Sequence, residues 1–147
     1  MEAALASDVT KTSDAVNNTA ASTNPLEVPL EPGTYRVQSE LFYNSNTTAD
    51  FAARLYAIGG ATSLANVVGE GIVNNDGEGI SGQMSRFTGL ATNVAVSGTS
   101  GQDANLSFRG VITVDTSTTL TVRWAQRVSD PSDTTLRAGS YLKATPV

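Results

Sequence analysis

The feature that most limits the fold is a period of two in side-chain polarity, with no helical period competing after residue 25. In "TTLTVRWAQRV", Leu120, Val122, Trp124, Gln126 and Val128 fall on alternate positions. "NLSFRGVITV" does the same with Leu106, Phe108, Ile112 and Val114. In "TYRVQSELFY", Tyr35, Val37, Leu41 and Tyr43 alternate with Arg36, Gln38 and Glu40. Successive side chains on a strand point to opposite faces, so these segments predict strands with one face buried and one wet. "FAARLYAI" adds Phe51, Ala53, Leu55 and Ala57 on one face. "LEVPL" predicts a short strand whose Pro29 suits a sheet edge, because proline has no N–H to give to a ladder.

Turn signals separate these segments: "EPG", "NSNTTAD", "NNDGEG", "DTST" and "SDPSD". "SLANVVGEGIV" reads as a strand interrupted by glycine, residues 80–96 as two strands around "TGLATN", and "TTLRAGSYLKATPV" as the last strand. Roughly eight to ten short antiparallel strands at this spacing predict an all-β sandwich or barrel.

Residues 1–24 differ from residues 25–147, having neither an aromatic residue nor a glycine. They predict a short N-terminal arm. Leu5, Val9, Thr12 and Val16 follow a 4-3-4 spacing that would line one face of a helix. Two readings of the arm stand: the start of a short three-stranded coiled coil, or a polar tether that orders on docking.

The chain has no cysteine and no histidine. That excludes disulfides, thiolate metal sites and cysteine catalysis, and removes the usual neutral-pH general base. A hydrolase would need paired carboxylates. The acidic residues lie mostly in turns, as Asp50, Asp76, Glu78, Asp103, Asp115, Asp130 and Asp133 do. Asp favours turns because its side chain bonds to its own backbone there, so no catalytic residue is expected. "NNDGEG" offers oxygens for calcium but lacks a regular ligand ladder, and a hairpin turn accounts for it. No metal and no cofactor is expected. "GEGISG" has no following lysine or helix and predicts bulges rather than a phosphate cradle.

A formal net charge of −5 with scattered basic residues argues against sequence-independent binding of nucleic acid. No stretch approaches the roughly 20 apolar residues of a membrane-spanning helix. The N-terminal segment carries Glu2 early and no long apolar run, which is not the pattern of a secretory signal.

"VPLEPGTYRVQSEL" resembles the early strand of complement-type and tumour-necrosis-factor-like jelly rolls, in which a Pro-Gly turn leads to an aromatic residue and an alternating strand. "LRAGSYLKA" resembles their last strand. "LTVRWAQRVSDPSDTTLRAGSYLKA" is similar to versions of the fold in bacteriophage structural proteins. The resemblance covers roughly residues 25 to 147 and departs from the animal members in lacking a collagenous stalk, cysteines and a clear metal-binding loop. It implies a jelly-roll β-sandwich and a homotrimer whose first and last strands share an inner sheet facing the threefold axis. Tyr35, Tyr43, Trp124, Tyr141 and Leu142 are then candidates for the trimer interface. The alternative is that they fill the core of the single chain.

The function expected is non-enzymatic: a trimeric head decoration, or cement, protein on the outer surface of a phage capsid. Its partners would be itself and the major capsid protein, with Leu5, Val9 and Val16 as the candidate capsid-binding arm. The alternative is the receptor-binding tip of a phage tail fibre or spike. There "NSNTTAD", "NNDGEG" and "SDPSD" would meet a host surface receptor, since loops commonly carry binding. A carboxylate-based glycan hydrolase is the remaining reading.

Overall fold

The computed structural model describes residues 1–13, 15, 26–59, 62–74, 80–87, 94–96, 98 and 101–147, and only the backbone within 62–95. The described elements are all strands: β1 (Glu2–Ala4), β2 (Val9–Thr12), β3 (Glu27–Leu30), β4 (Gly33–Asn44), β5 (Phe51–Ile58), β6 (Thr62–Asn74), β7 (Ile80–Phe87), β8 (Val94–Val96), β9 (Ala104–Val114), β10 (Thr118–Gln126), β11 (Asp133–Leu136) and β12 (Tyr141–Pro146). Every ladder between them is antiparallel.

The first sheet runs β1-β12-β4-β9-β6-β7, with β11 pairing both β4 and β2. The second runs β3-β10-β5-β8. The two form a β-sandwich over a shared core. β4 shows the principle: Tyr35, Val37, Ser39, Leu41 and Tyr43 are buried, whereas Arg36, Gln38 and Phe42 between them are exposed. Tyr43 of the first sheet stacks on Phe51 of the second at 4.3 Å between ring centroids, and Phe51 lies 5.8 Å from Trp124. Offset aromatic stacking adds roughly 0.5–1.5 kcal/mol per pair beyond the area buried. Burial also pushes the Tyr43 phenol well above its ordinary pKa.

Two buried polar side chains, Ser39 and Gln126, are tied to backbone. Ser39 Oγ donates to the Tyr141 carbonyl at 2.8 Å, stapling β4 to β12. Gln126, at the end of β10, donates through Nε2 to the Ser132 carbonyl and accepts the Asp130 N–H on Oε1. It thereby holds the "SDPSD" turn against the sandwich. Alternation carries no further than this residue: Val128, which the sequence pattern places with Leu120, Val122, Trp124 and Gln126, lies past the end of β10 and is exposed.

The reading of the N-terminal segment as an arm is corrected for residues 1–13. β1 pairs β12, and β2 pairs β11, so both belong to the first sheet. Leu5 is buried in the core and Val9 packs against it. The helical spacing of Leu5, Val9 and Thr12 loses to strand pairing because an isolated short helix is marginal in water, whereas β12 and β11 offer open ladders. Val16 lies outside the described residues.

The same ladders explain the burial of the last strand. β12 lies between β1 and β4, with Leu142 and Ala144 fully buried. The Met1 amine donates to the Ala144 carbonyl at 2.8 Å, and the Val147 N–H to the Thr34 carbonyl at 3.0 Å. The expectation that Leu142 becomes interior only between copies is corrected: within one chain β12 is paired on both edges and Leu142 lies in the core.

Candidate functional site

The outward face of the first sheet collects the aromatic and charged residues left over by the core. Register places Tyr141, Glu40 and Ser107 on one rung across β12, β4 and β9, and Lys143, Gln38 and Arg109 on the next. Alternation requires this: each is two residues from its neighbour on its own strand and out of phase with Leu41, Leu142 or Phe108.

Glu40 organises the face. Its carboxylate accepts from Asn105 Nδ2 at 3.0 Å, from Ser107 Oγ, and from an Arg109 guanidinium nitrogen at 3.2 Å. The Glu40 side chain is 17% exposed and that of Arg109 is 64% exposed, so the acid is fixed beneath a solvated base. Three donors on one carboxylate fix its position on the face. Beside it Phe42 is 39% exposed and Tyr141 half-buried, which gives the face an apolar end. Aromatic residues and arginine with few lysines are the composition of protein–protein contact surfaces.

Of the residues expected at an axis between copies, only Tyr141 lies on this face. Tyr35, Tyr43, Trp124 and Leu142 are in the core of the single chain. Their assignment to the interface is corrected because their surface is already covered by their own chain. Tyr35 Oη donates to the Glu31 carbonyl at 2.9 Å, and Lys11 lies over the Trp124 ring at 5.0 Å. Of the candidate arm residues, Leu5 is buried and Val9 half-buried, so neither is a free capsid ligand.

Two of the loops singled out in the sequence meet at one pole. Asn46 of "NSNTTAD" donates through Nδ2 to Asp130 Oδ1 at 3.0 Å and to Ser132 Oγ at 2.7 Å in "SDPSD". Hydrogen bonds from the Ser132 side chain and N–H, and from Asn46, hold the Asp130 carboxyl below its ordinary pKa. Asp50, at φ 51°, accepts the Gly98 N–H at 2.9 Å and pairs with Arg127 at 3.4 Å. In "NNDGEG", Asn74 ends β6 and residues 75–79 lie outside the described residues, as does the calcium reading placed on them.

A second ion cluster joins the N-terminal segment to the β11–β12 turn. Arg137 bridges Asp8 at 2.8 Å and Asp103 at 2.9 Å, and the Ala138 N–H donates to Asp8. The Ala138 hydrogen bond, then Arg137, lower the Asp8 pKa, and both acids raise that of Arg137. Among the described residues no group of three or more acidic side chains is arranged to hold a metal ion.

Sequence reasoning missed the outward face of the second sheet, where Arg123 and Arg54 are Cα partners. Alternation put each outside; only the β5–β10 register puts them together. The chain matches no family model, and no curated protein matches its sequence.

Proposed function

We propose that this chain is a non-enzymatic structural protein of the virion, a trimeric decoration protein that binds the outer surface of a phage capsid. The observation that carries the proposal is the strand order. The β1-β12-β4-β9 row faces β3-β10-β5-β8, with the first strand beside the last. This order supports a jelly roll of the complement and tumour-necrosis-factor type with the β6–β7 hairpin added beyond β9. That resemblance implies a trimer. The outward face around Glu40, Phe42 and Tyr141 is then the contact between copies, in place of the core residues. A trimer that binds the assembled lattice and not its dissociated subunits stabilises the lattice by mass action.

Sedimentation of the wild-type chain and of Phe42→Glu tests the contact. A wild-type trimer that the variant dissociates into folded single chains supports it; a wild-type monomer at micromolar concentration overturns it. The attachment of Asn46 to Asp130 favours a second reading, since it presents two loops at one pole as a receptor-binding tip would. Depletion from solution by undecorated heads supports decoration, and depletion by host cells alone replaces it with the tip.

A further inference from the structure

The outward face of the second sheet carries a like-charged pair. Arg123 of β10 and Arg54 of β5 sit directly opposite each other, flanked by Ala125 and Ala52 on one rung and by Thr121 and Tyr56 on the next. Like charges directly opposite on a sheet destabilise it. The chain is acidic and has carboxylates to offer.

No such carboxylate is used for Arg123. Among the described residues it forms no ion pair, and its Nε is buried without a hydrogen-bond partner. Among the described residues Glu27 is the nearest acid by register, opposite Thr121 on the neighbouring rung, and it makes no ion pair with Arg123. The Arg123 guanidinium instead stacks on the Tyr56 ring, 3.6 Å from its centroid, with the Arg54 guanidinium 5.5 Å from the same ring. Both arginines are half-buried. Tyr56 therefore holds two planar donor groups against one small patch flanked by alanines.

We propose that Arg54, Arg123 and Tyr56 form a binding site for an oxyanion, a carboxylate or phosphate group carried by a ligand. A guanidinium presents its N–H donors as a fork matched to two oxygens of such a group. An anion bound there would supply the acceptors that Arg123 lacks. Stacking on Tyr56 orients the fork before the ligand arrives, which lowers the ordering cost of binding. The site is independent of the contact between copies, since it lies on the other sheet.

The test is titration of the wild-type chain with acetate and, separately, with inorganic phosphate, each against chloride at matched ionic strength. Side-chain Nε–H and backbone amide resonances are followed by NMR, and thermal midpoints are measured in parallel. Saturable shifts confined to Arg54, Arg123, Tyr56 and their neighbours support the site. Response to acetate alone assigns carboxylate ligands, and response to phosphate alone assigns phosphorylated ones. In Arg123→Gln the localised shifts disappear. The variant's midpoint in chloride is the baseline, and it gains less from phosphate than wild type does. Equal shifts with chloride, or an equal gain in midpoint in Arg123→Gln, overturn the proposal. If that variant fails to fold, absence of saturable shifts in the wild-type titration overturns it.

Discussion

Ala3 lies opposite Leu142 on the β1–β12 ladder, and Leu142 is fully buried. The first described strand of the chain is therefore the cover of the last. This pairing completes the second edge of β12 within one chain, and Leu5, just beyond β1, has a place in the core. Its backbone confirms the fit, with the Leu5 N–H on the Ser140 carbonyl at 2.8 Å and the Gly139 N–H on the Leu5 carbonyl at 3.0 Å.

Leu5→Ala tests this arrangement. A buried leucine cut to alanine costs about 2–5 kcal/mol, whereas the same change in a free arm costs nothing. Urea unfolding at neutral pH should show a lower midpoint with an unchanged slope.

Gly98→Ala is expected to be worse than its size suggests. A Cβ at Gly98 would lie 1.7 Å from the Asn46 carbonyl oxygen, and backbone cannot swing aside as a side chain can. Overpacking costs roughly 1–3 kcal/mol and sometimes more. The thermal midpoint should fall, and the Asn46 contacts to Asp130 and Ser132 should weaken together.

Trp124 reports on where the aromatic core belongs. Its side chain is 1% exposed within one chain. Its fluorescence should be blue-shifted and protected from acrylamide, in the wild-type chain and in Phe42→Glu alike. A red shift in that variant would place the tryptophan at an interface between copies.

Asp8 and Asp130 are expected to contribute to the acid response. Both pKa values are lowered in the fold from 3.8. A lowered folded pKa contributes stability that is present above the unfolded value and lost as pH falls through the folded one. The wild-type chain should therefore lose stability below about pH 4. Asp8→Asn and Asp130→Asn should lower stability at pH 7 and flatten that acid limb, read from urea midpoints across the range. An unchanged acid limb in the double variant would remove both acids from the explanation.

The all-β fold was legible because period two is local: each of β4, β9 and β10 announces its buried face in its own residues. Pro29 marked an edge for the same reason, and β3 is an edge of the second sheet. Pairing is not local. Nothing in "MEAALASDVTKT" says that residues more than a hundred positions away complete it, and its apolar residues are too sparse to show a strand pattern. The cross-strand meeting of Arg54 and Arg123 was hidden likewise, since each is an ordinary outward residue until the register is known. Aromatic residues gave a different difficulty. Alternation showed that Tyr35, Tyr43 and Trp124 face inward, but an inner face looks the same from sequence whether it meets the second sheet or another copy.

The ladder between β1 and β12 also bears on how the sandwich closes during synthesis. The Met1 amine and its acceptor on Ala144 are 143 positions apart, so β1 has no partner until nearly the whole sandwich has been synthesised. Until then β4 keeps an open edge. Such long-range closure is slow and leaves nascent strands prone to pair with neighbours. Rapid, crowded synthesis should therefore give more aggregate than slow synthesis from the same message, although the finished protein is identical.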